Sequence, residues 1–225
     1  LIVYVLAAAS PTPPIAPEVY HRGWTASPTF RNGKTYDGIT LPLGPPQGGP
    51  LFFAHYSFLG LDPRGLSDRY ADYWAQNRAH ALINRAHCIA NPHKFAGYGA
   101  NCWGLTACDG DRGYNAFAPD NDHGVIAPTA ALASMPYTPV ESMAALRHFY
   151  EDMGERLWRD RGFADAFNDS AGWVADSHLA IDQGPIVVMI ENHRSSLLWQ
   201  LFMSCPEIGA GLRRLGFERR TPPAA

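Results

Sequence analysis

The feature that most constrains the fold of this chain is a contrast between two kinds of helical sequence. Residues 186–202 are apolar on nearly every side of a predicted helix. Residues 139–160 instead place apolar side chains on one face and charged side chains on the other. The first kind of helix must be enclosed by protein, whereas the second kind covers a core. Buried inner helices wrapped by amphipathic outer helices satisfy both patterns, which is the α/α barrel plan.

Other segments make the predicted chain predominantly helical, and strand signals are few. Ser67 is the predicted N-cap of a helix that ends near Asn91. Thr138 and Glu141 have the spacing of a capping box. Further helices are predicted over residues 1–9, 16–24, 128–135 and 206–216.

Long loops connect these helices. Residues 25–50 are rich in Gly, Pro and Thr, and a short hairpin is predicted at Asn32-Gly33. Residues 97–117 and 118–128 combine Gly, Asp and aromatic side chains. Loops of this length in a compact domain are usually functional, so the site is expected among them.

The start of the chain, LIVYVLAAAS, is apolar and stops at a proline-rich stretch. It is shorter than the roughly 20 apolar residues that cross a bilayer, and it lacks the basic region of a signal peptide. We expect it to be the end of a buried helix whose beginning lies upstream. The chain is therefore expected to be the C-terminal part of a longer protein.

Composition limits the partners that this chain can have. Its net charge is −3 with a pI near 6.3, and no basic stripe is visible, which argues against nucleic-acid binding. Charged residues make up 17 % and aromatic residues 12 % of the chain. Neutral polar ligands such as sugars suit this balance, and so does a large aromatic core.

Cysteine and acidic residues do not form a recognisable metal motif. Cys102 and Cys108 match no common zinc spacing, and they are either packing thiols or a loop disulfide. Asp120, Asp122 and His123 do not fit an EF-hand loop and are expected to form a solvated turn. No metal and no cofactor is expected.

Four longer stretches stand out: PPQGGPLFFAHYSFLGLDPRGLSDRYADYW, NCWGLTACDG, IAPTAALASMPYTPVESMAALRHFY and LAIDQGPIVVMIENHR. Together they resemble the glycoamylase-like family of bacterial glycoside hydrolases, which includes β-1,2-glucan hydrolases. The resemblance extends from residue 1 to Phe217. It implies an all-α, (α/α)6 toroid over residues 1–217, here an incomplete C-terminal portion, with a disordered tail at 218–225.

The resemblance also implies chemistry and location. It implies an inverting glycosidase mechanism, with a sugar cleft at the mouths of the inner helices. The family's general-acid glutamate would lie just upstream of Leu1. Export to the bacterial periplasm or the outside is implied as well.

Asp182 is the candidate general base. It stands before Gly184-Pro185, where we expect the long helix to start, so nearby backbone N–H groups would favour its ionised form. The resemblance implies that it is the family's base aspartate. The alternative is that Asp182 only caps the helix.

Two loops and one helix supply candidate substrate-binding residues. Aromatic faces and polar groups that read hydroxyls are the usual elements of a sugar site. An ion pair between Asp62 and Arg64, or between Asp68 and Arg69, is the alternative for the first loop, and a folded loop core is the alternative for the second. The candidates are His55, Phe58, Asp62, Arg64, Trp103, Asp109, Tyr114 and Glu191.

Glu191 carries an additional expectation. It lies almost two turns into the predicted helix, so it is expected to be buried. A buried carboxylate needs a partner, and Arg78 and Arg85 are the candidates.

Three functions are compatible with these residues. The first is a glycoside hydrolase domain acting on β-glucan, specifically an inverting endo-β-1,2-glucanase. The second is the transglycosylation domain of a cyclic β-1,2-glucan synthase, and the third is an inactive sugar-binding fragment. The expected partner of this chain is an oligo- or polysaccharide. The chain is expected to have no membrane span and to self-associate through exposed inner helices.

Overall fold

The computed structural model describes residues 1–220, and helices supply most of its regular structure. The α-helices of this part of the chain are α1 (Ile2–Ala9), α2 (Tyr73–Ala90), α3 (Pro128–Leu132), α4 (Pro139–Arg147), α5 (Gly154–Leu157), α6 (Ala180–Ser195), α7 (Leu197–Met203) and α8 (Pro206–Arg214). Single π-helical turns cover Val19–Trp24 and His148–Asp152, and 3-10 turns cover Pro46–Gly48, Leu51–Ala54, Tyr56–Phe58 and Asp169–Ala171. No helix within residues 1–220 combines the length and the apolar character that a bilayer crossing requires.

The strands are short and pair two by two, always antiparallel. They are β1 (Arg31–Tyr36) with β2 (Ile39–Leu43), β3 (Leu66–Ser67) with β10 (Glu218–Arg219), β4 (Ala107–Cys108) with β5 (Asn115–Ala116), β6 (Trp158–Arg159) with β7 (Gly162–Phe163), and β8 (Phe167–Asn168) with β9 (Trp173–Val174). The mostly helical class is thus confirmed. The closed (α/α)6 toroid stays a prediction.

One hydrophobic core lies where α1 packs against α8. Val5 and Ala8 of α1 are fully buried there, while Val3 and Leu6 on the opposite face remain exposed. The close approach requires Gly211 of α8, since a Cβ at that position would come within 2.8–2.9 Å of α1 backbone and side-chain atoms. Within this chain the first helix is therefore buried on one face, and its complete burial in a longer protein stays a prediction.

A second core joins α2, α3, α4 and α7 to the loops between them. Trp199 of α7 is 1 % exposed, and its indole Nε1 donates a hydrogen bond of 2.7 Å to the Phe58 carbonyl oxygen. Asn192 of α6 donates a 3.0 Å bond to the Leu59 carbonyl oxygen and accepts one from the Trp199 backbone N–H. These bonds hold the segment around residue 58 against α6 and α7.

The long apolar helix predicted over residues 186–202 is wrong in its extent. It is two helices, α6 and α7, separated at Ser196, whose φ of 61° is in the left-handed region. Val187 and Leu201 are exposed, so these helices are not enclosed on every side in this chain. Self-association through such faces stays a prediction.

The predicted cap of α2 is also wrong. Ser67 belongs to β3, and the turn that follows is held by the Asp68 carboxylate, which accepts bonds from the backbone N–H groups of Tyr70 and Ala71. The helix begins later, at Tyr73, with Asp72 as N-cap: its Oδ1 accepts a 2.8 Å bond from the Ala75 N–H. The predicted end near Asn91 is confirmed by its left-handed φ of 43°.

Two further local predictions need correction. Thr138 is at the N-cap of α4, but its hydroxyl bonds Ser134 and Ser142, so the capping box with Glu141 does not form. In the hairpin of β1 and β2 the turn is Asp37-Gly38, both with positive φ, and Asn32-Gly33 lies inside β1 near a bulge.

The end of the described chain is ordered further than expected. Glu218 and Arg219 form β10 against β3, and the Arg220 N–H donates a 2.9 Å bond to the Gly65 carbonyl oxygen. The disordered tail predicted from residue 218 is therefore wrong at its start. The remainder, residues 221–225, lies outside the described residues.

The N-cap of α2 can be tested by replacing the observed cap, Asp72, and the residue predicted from sequence, Ser67. Replacing Asp72 by Ala removes the bond to the Ala75 N–H, and we expect a loss of about 1 kcal/mol in the free energy of unfolding. Ser67→Ala is the matched control and should change it by less than about 0.5 kcal/mol. Urea unfolding followed by circular dichroism measures both, and equal losses would contradict the cap at Asp72.

Candidate active site

Asp182 lies in the first turn of α6, with its side chain turned into the protein. The helix begins at Ala180, so it starts ahead of Asp182 and contains Pro185, contrary to the predicted start at Gly184-Pro185. Asp182 is 1 % exposed, and no side chain caps the α6 N-terminus. A pure capping role for Asp182 is therefore excluded, and its carboxyl group is left for other contacts.

The two oxygens of the Asp182 carboxyl have different surroundings. Oδ1 accepts a 3.2 Å hydrogen bond from the Tyr56 hydroxyl. Oδ2 is buried and receives no hydrogen bond from a side-chain or backbone donor. The backbone around Asp182 is fixed independently, because Thr129 of α3 donates a 2.7 Å bond to its carbonyl oxygen.

A second buried carboxyl, Asp165, lies beside Asp182. It sits between β7 and β8 and is 1 % exposed. Its Oδ2 accepts a 2.9 Å bond from the Asp109 N–H, whereas its Oδ1 is buried without a donor. Each carboxyl shifts the pKa of the other, so the two side chains lie side by side.

Asp109 completes an acidic group of three. Its side chain is half-buried, and its Oδ2 accepts a short hydrogen bond from the Ser177 hydroxyl. The Ser177 carbonyl oxygen in turn accepts a 3.1 Å bond from the Asp165 N–H. Loops far apart in sequence thus meet around α6. Within residues 1–220, no group of three acidic, His or Cys side chains is arranged to hold a metal ion.

Burial dominates the electrostatics of this group. Desolvation, helped by the neighbouring Asp165, raises the pKa of Asp182 to about 7, while the Tyr56 hydroxyl opposes the shift. Desolvation also raises the pKa of Asp165, against the hydrogen bonds from the Asp109 N–H and from Asp182. The two neighbouring carboxyls therefore resist ionising together, and the second of them ionises only near neutral pH.

Two tyrosines connect Asp182 to two separate cavities. Tyr56 lines a cavity of about 530 Å³ whose walls include Phe52 and Phe53. Tyr114 is 58 % exposed and lines a more polar cavity of about 690 Å³. The negative charge of Asp182 raises the pKa of both phenols, in addition to desolvation, so both rings lie near it. Asp182 is thus hydrogen-bonded to a wall residue of one cavity and lies near a wall residue of the other.

The segment that carries Tyr56 is anchored on both sides. His55 Nε2 is 3.0 Å from the Ser134 hydroxyl, and the Tyr137 hydroxyl donates a 2.9 Å bond to the Ala54 carbonyl oxygen. His55 is 2 % exposed, and burial lowers its pKa to about 3. The sugar-contacting role predicted for His55 is therefore wrong, because the side chain faces the core and positions its neighbour instead.

The predicted sugar-binding roles of Asp62 and Arg64 compete with a structural role that the structure shows. Arg64 Nε and Nη2 donate bonds of 2.9 and 2.8 Å to the two oxygens of Asp62, which is 3 % exposed. The guanidinium also lies 4.7 Å from the centre of the Trp199 ring. The ion pair that holds this loop together is thus confirmed, and contact with a sugar stays a prediction. Phe58 is buried and borders the cavity of Tyr56.

Three other predictions for single residues are wrong. Trp103 is completely buried in the second core, so it is not a stacking platform at a surface. Glu191 is not deeply buried, and its partners are Arg194 and Ser195 of the same helix instead of Arg78 or Arg85.

The acidic turn near residue 122 is not simply solvated. Asp122 is buried at its side chain and accepts bonds of 2.8 Å from His87 and 2.7 Å from Tyr98. These bonds hold its pKa below the usual range despite burial. Cys88, Cys102 and Cys108 are buried free thiols, as the packing alternative predicted.

The sequence analysis missed Asp165 and Tyr56. The signal for Asp165 was a lone carboxylate among the apolar residues of GFADAF, since an unpaired buried charge is costly without a function. The signal for Tyr56 was weaker, because FFAHYSF contains other aromatic residues, and the sequence does not show which of them points away from the core. Of the predicted residues, the structure brings Asp109, Tyr114 and Asp182 together.

Comparison with known proteins gives one family model that matches residues 1–206, Glycoamylase, described as "Putative glucoamylase". A curated relative from Parabacteroides distasonis, an exo β-1,2-glucooligosaccharide sophorohydrolase, is 44 % identical over an alignment of 234 positions, which covers 96 % of this chain and 32 % of the relative.

Solved structures are similar over nearly the whole chain. A crystal structure of a "putative glucoamylase" from Bacteroides uniformis has a TM-score of 0.95 and 62 % identity, with 96 % of this chain and 53 % of that chain covered. An endo-β-1,2-glucanase from Chitinophaga pinensis, in complex with sophorotriose and glucose, has a TM-score of 0.93 and 55 % identity, with coverages of 97 % and 54 %. This chain therefore spans a third to about half of the length of these relatives.

The raised pKa of Asp182 makes stability depend on pH in a defined direction. Its pKa is near 3.8 when exposed and about 7 when folded, so the folded state binds the proton more tightly and loses stability as pH rises through this window. Asp182→Asn removes that charge. We expect the variant to gain roughly 1–3 kcal/mol over the wild type between pH 4 and pH 8.

Chemical unfolding at several pH values measures this difference. Asp176→Asn is the matched control, because the Asp176 side chain is fully exposed. A gain for Asp182→Asn that is the same at pH 4 and pH 8 would show that the carboxyl does not titrate with a raised pKa.

Proposed function

Because this chain belongs to the glycoamylase family, we propose that it supplies the general-base side of an active site that hydrolyses β-1,2-glucans. The observation that carries the proposal is the buried Asp182 carboxyl, which accepts a hydrogen bond from the cavity-lining Tyr56 and ionises near neutral pH. A base whose pKa lies near the working pH is the most effective, because it is both ionised and strongly basic. Glycoside hydrolysis with inversion needs such a carboxylate to take the proton of the attacking water.

The substrate follows from the relatives. Both named activities among them are on β-1,2-linked glucose, one exo-acting and one endo-acting. The endo-acting Chitinophaga pinensis enzyme is the more similar of the two, at 55 % against 44 % identity, and this favours endo-action for the present chain. Location in the periplasm or outside the cell stays a prediction.

The surroundings of Asp182 suit a sugar chain. The cavity of Tyr56 offers aromatic faces from Phe52 and Phe53, on which sugar rings pack. The cavity of Tyr114 offers polar groups such as Asp111 and Asn168, which suit hydroxyl groups. Each cavity has a tyrosine in its wall that lies near Asp182.

Inversion also requires a general acid on the other side of the scissile bond, about 6.5–9.5 Å from the base. We propose that this acid is a glutamate in the part of the longer relatives that this chain does not cover. A proton donor typically contributes 10²–10⁴-fold, so this chain without that region is expected to be a poor catalyst.

This proposal can be tested by completing the fold. The 225-residue chain is assayed alone and fused to the part of the Chitinophaga pinensis enzyme that it does not cover. We expect the fusion to cleave β-1,2-glucan at least roughly 100-fold faster than the chain alone, and not to cleave β-1,3-glucan. Full activity of the chain alone would refute the placement of the acid.

The same assay separates hydrolysis from transfer. With an excess of an acceptor sugar, a hydrolase gives only shorter linear products, whereas a transglycosylase such as a cyclic β-1,2-glucan synthase domain gives longer or cyclic ones. A fusion that binds glucan without cleaving it would support the sugar-binding reading.

The pH dependence follows from the role of Asp182 as a base. Since the base must be ionised, kcat/KM of the fusion should rise as pH increases through about 7 and level off above it. Asp182→Asn should lower kcat by roughly 10²-fold or more at every pH. Activity that instead falls through pH 7 would assign Asp182 as the acid.

A further inference from the structure

Among residues 1–220, two buried carboxyl oxygens lack a donor, and they belong to side chains that lie next to each other. They are Asp165 Oδ1 and Asp182 Oδ2, on side chains that are each 1 % exposed. An unpaired buried acceptor is costly, because it has lost its bonds to water without replacing them. A proton held between the two carboxyls would give both of these oxygens a hydrogen bond.

We propose that Asp165 is a positioning residue for Asp182: it accepts a hydrogen bond from the protonated Asp182 and thereby sets the basicity of that carboxyl. This inference rests on the proposed role of Asp182 as a base. It adds a residue that does not touch the sugar. Asp165 is itself held by the Asp109 N–H at 2.9 Å and by its own N–H to the Ser177 carbonyl oxygen.

The charges around the pair do not supply an alternative partner. From the adjoining segments, Asp109, Tyr56, Tyr114 and the buried thiol of Cys108 face it. In the described part of the chain, the groups that shift these two carboxyls most include no cation. Ionising both carboxyls therefore places two negative charges side by side in a buried site. This repulsion raises the pKa of the second carboxyl to ionise toward neutral pH.

The proton balance of the catalytic step is then simple. With both carboxyls ionised, Asp182 accepts the proton of the attacking water as its oxygen bonds to the anomeric carbon. The general acid gives its proton to the leaving oxygen as the glycosidic bond breaks. The new proton on Asp182 is shared with Asp165, so Asp165 stabilises the product state of the base and strengthens it.

The test does not depend on activity. Aspartate labelled with ¹³C at the carboxyl carbon is introduced into the 225-residue chain, and its signals are followed from pH 3 to pH 9 without sugar. In the wild type we expect the Asp165 and Asp182 signals to report a common step near pH 7. Asp165→Asn keeps the shape and offers an N–H donor to Asp182, so this step should move down by at least about one pH unit.

Control variants distinguish proton sharing from a purely structural role. Asp176→Asn, at an exposed position, should leave the step unchanged. Asp182→Asn should abolish it and lower the titration of Asp165, which provides a second route if Asp165→Asn does not fold. Separate titration of both wild-type carboxyls below pH 5, or an unmoved step in Asp165→Asn, would overturn the proposal.

Kinetics of the fusion give an independent readout. In Asp165→Asn the rise of kcat/KM with pH should shift to lower pH, while kcat on the alkaline plateau falls roughly tenfold because the base is weaker. KM should stay within about twofold, since Asp165 does not touch the sugar. If the fusion does not cleave β-1,2-glucan at all, the proposed hydrolase function is refuted. The carboxyl titration then still tests whether Asp165 and Asp182 share a proton.

Discussion

Burying the Asp182 carboxyl costs free energy, and the site exists because the surrounding structure makes that cost tolerable. The carboxyl is 1 % exposed and receives one hydrogen bond, from Tyr56, while its other oxygen has no donor. The group therefore keeps a proton until about neutral pH. A carboxyl that ionises there is a stronger base than one in water, so the same desolvation that costs stability provides the chemistry.

Most of the remaining structure serves to hold loops around this carboxyl. Trp199 and Asn192 fasten the segment after Tyr56 to α6 and α7 through backbone carbonyl oxygens. His55 and the Tyr137 hydroxyl fasten the same segment from the other side. Buried polar side chains thus replace a regular sheet as the support of the site. His55 was expected to bind sugar and instead has this supporting role, because it points inward where Tyr56 points outward.

The sequence predicted the helical class, several helix ends and the central residue. Pro128 and Pro206 at helix starts and Asn91 and Gly216 at helix ends agree with the structure, whereas the catalytic role of Asp182 stays a prediction. These features depend on local backbone preferences, which act between residues a few positions apart. The prediction of Ser67 as the N-cap of α2 was wrong for the same reason. Asp68 and Asp72 are equally suitable cap residues nearby, and local preference alone does not choose among them.

The ionisation of the site was decided by tertiary structure alone. Asp165 and Asp182 come from different segments, and nothing in either segment shows that the two carboxyls meet. Their proximity requires the α3–α6 contact at Thr129 and the loop pairing of Asp109 with Asp165. The sequence determined which residues could form helices and which carboxyl begins one of them. Whether that carboxyl is charged depends on desolvation and on its neighbour in space, and both exist only once distant parts of the chain have packed together.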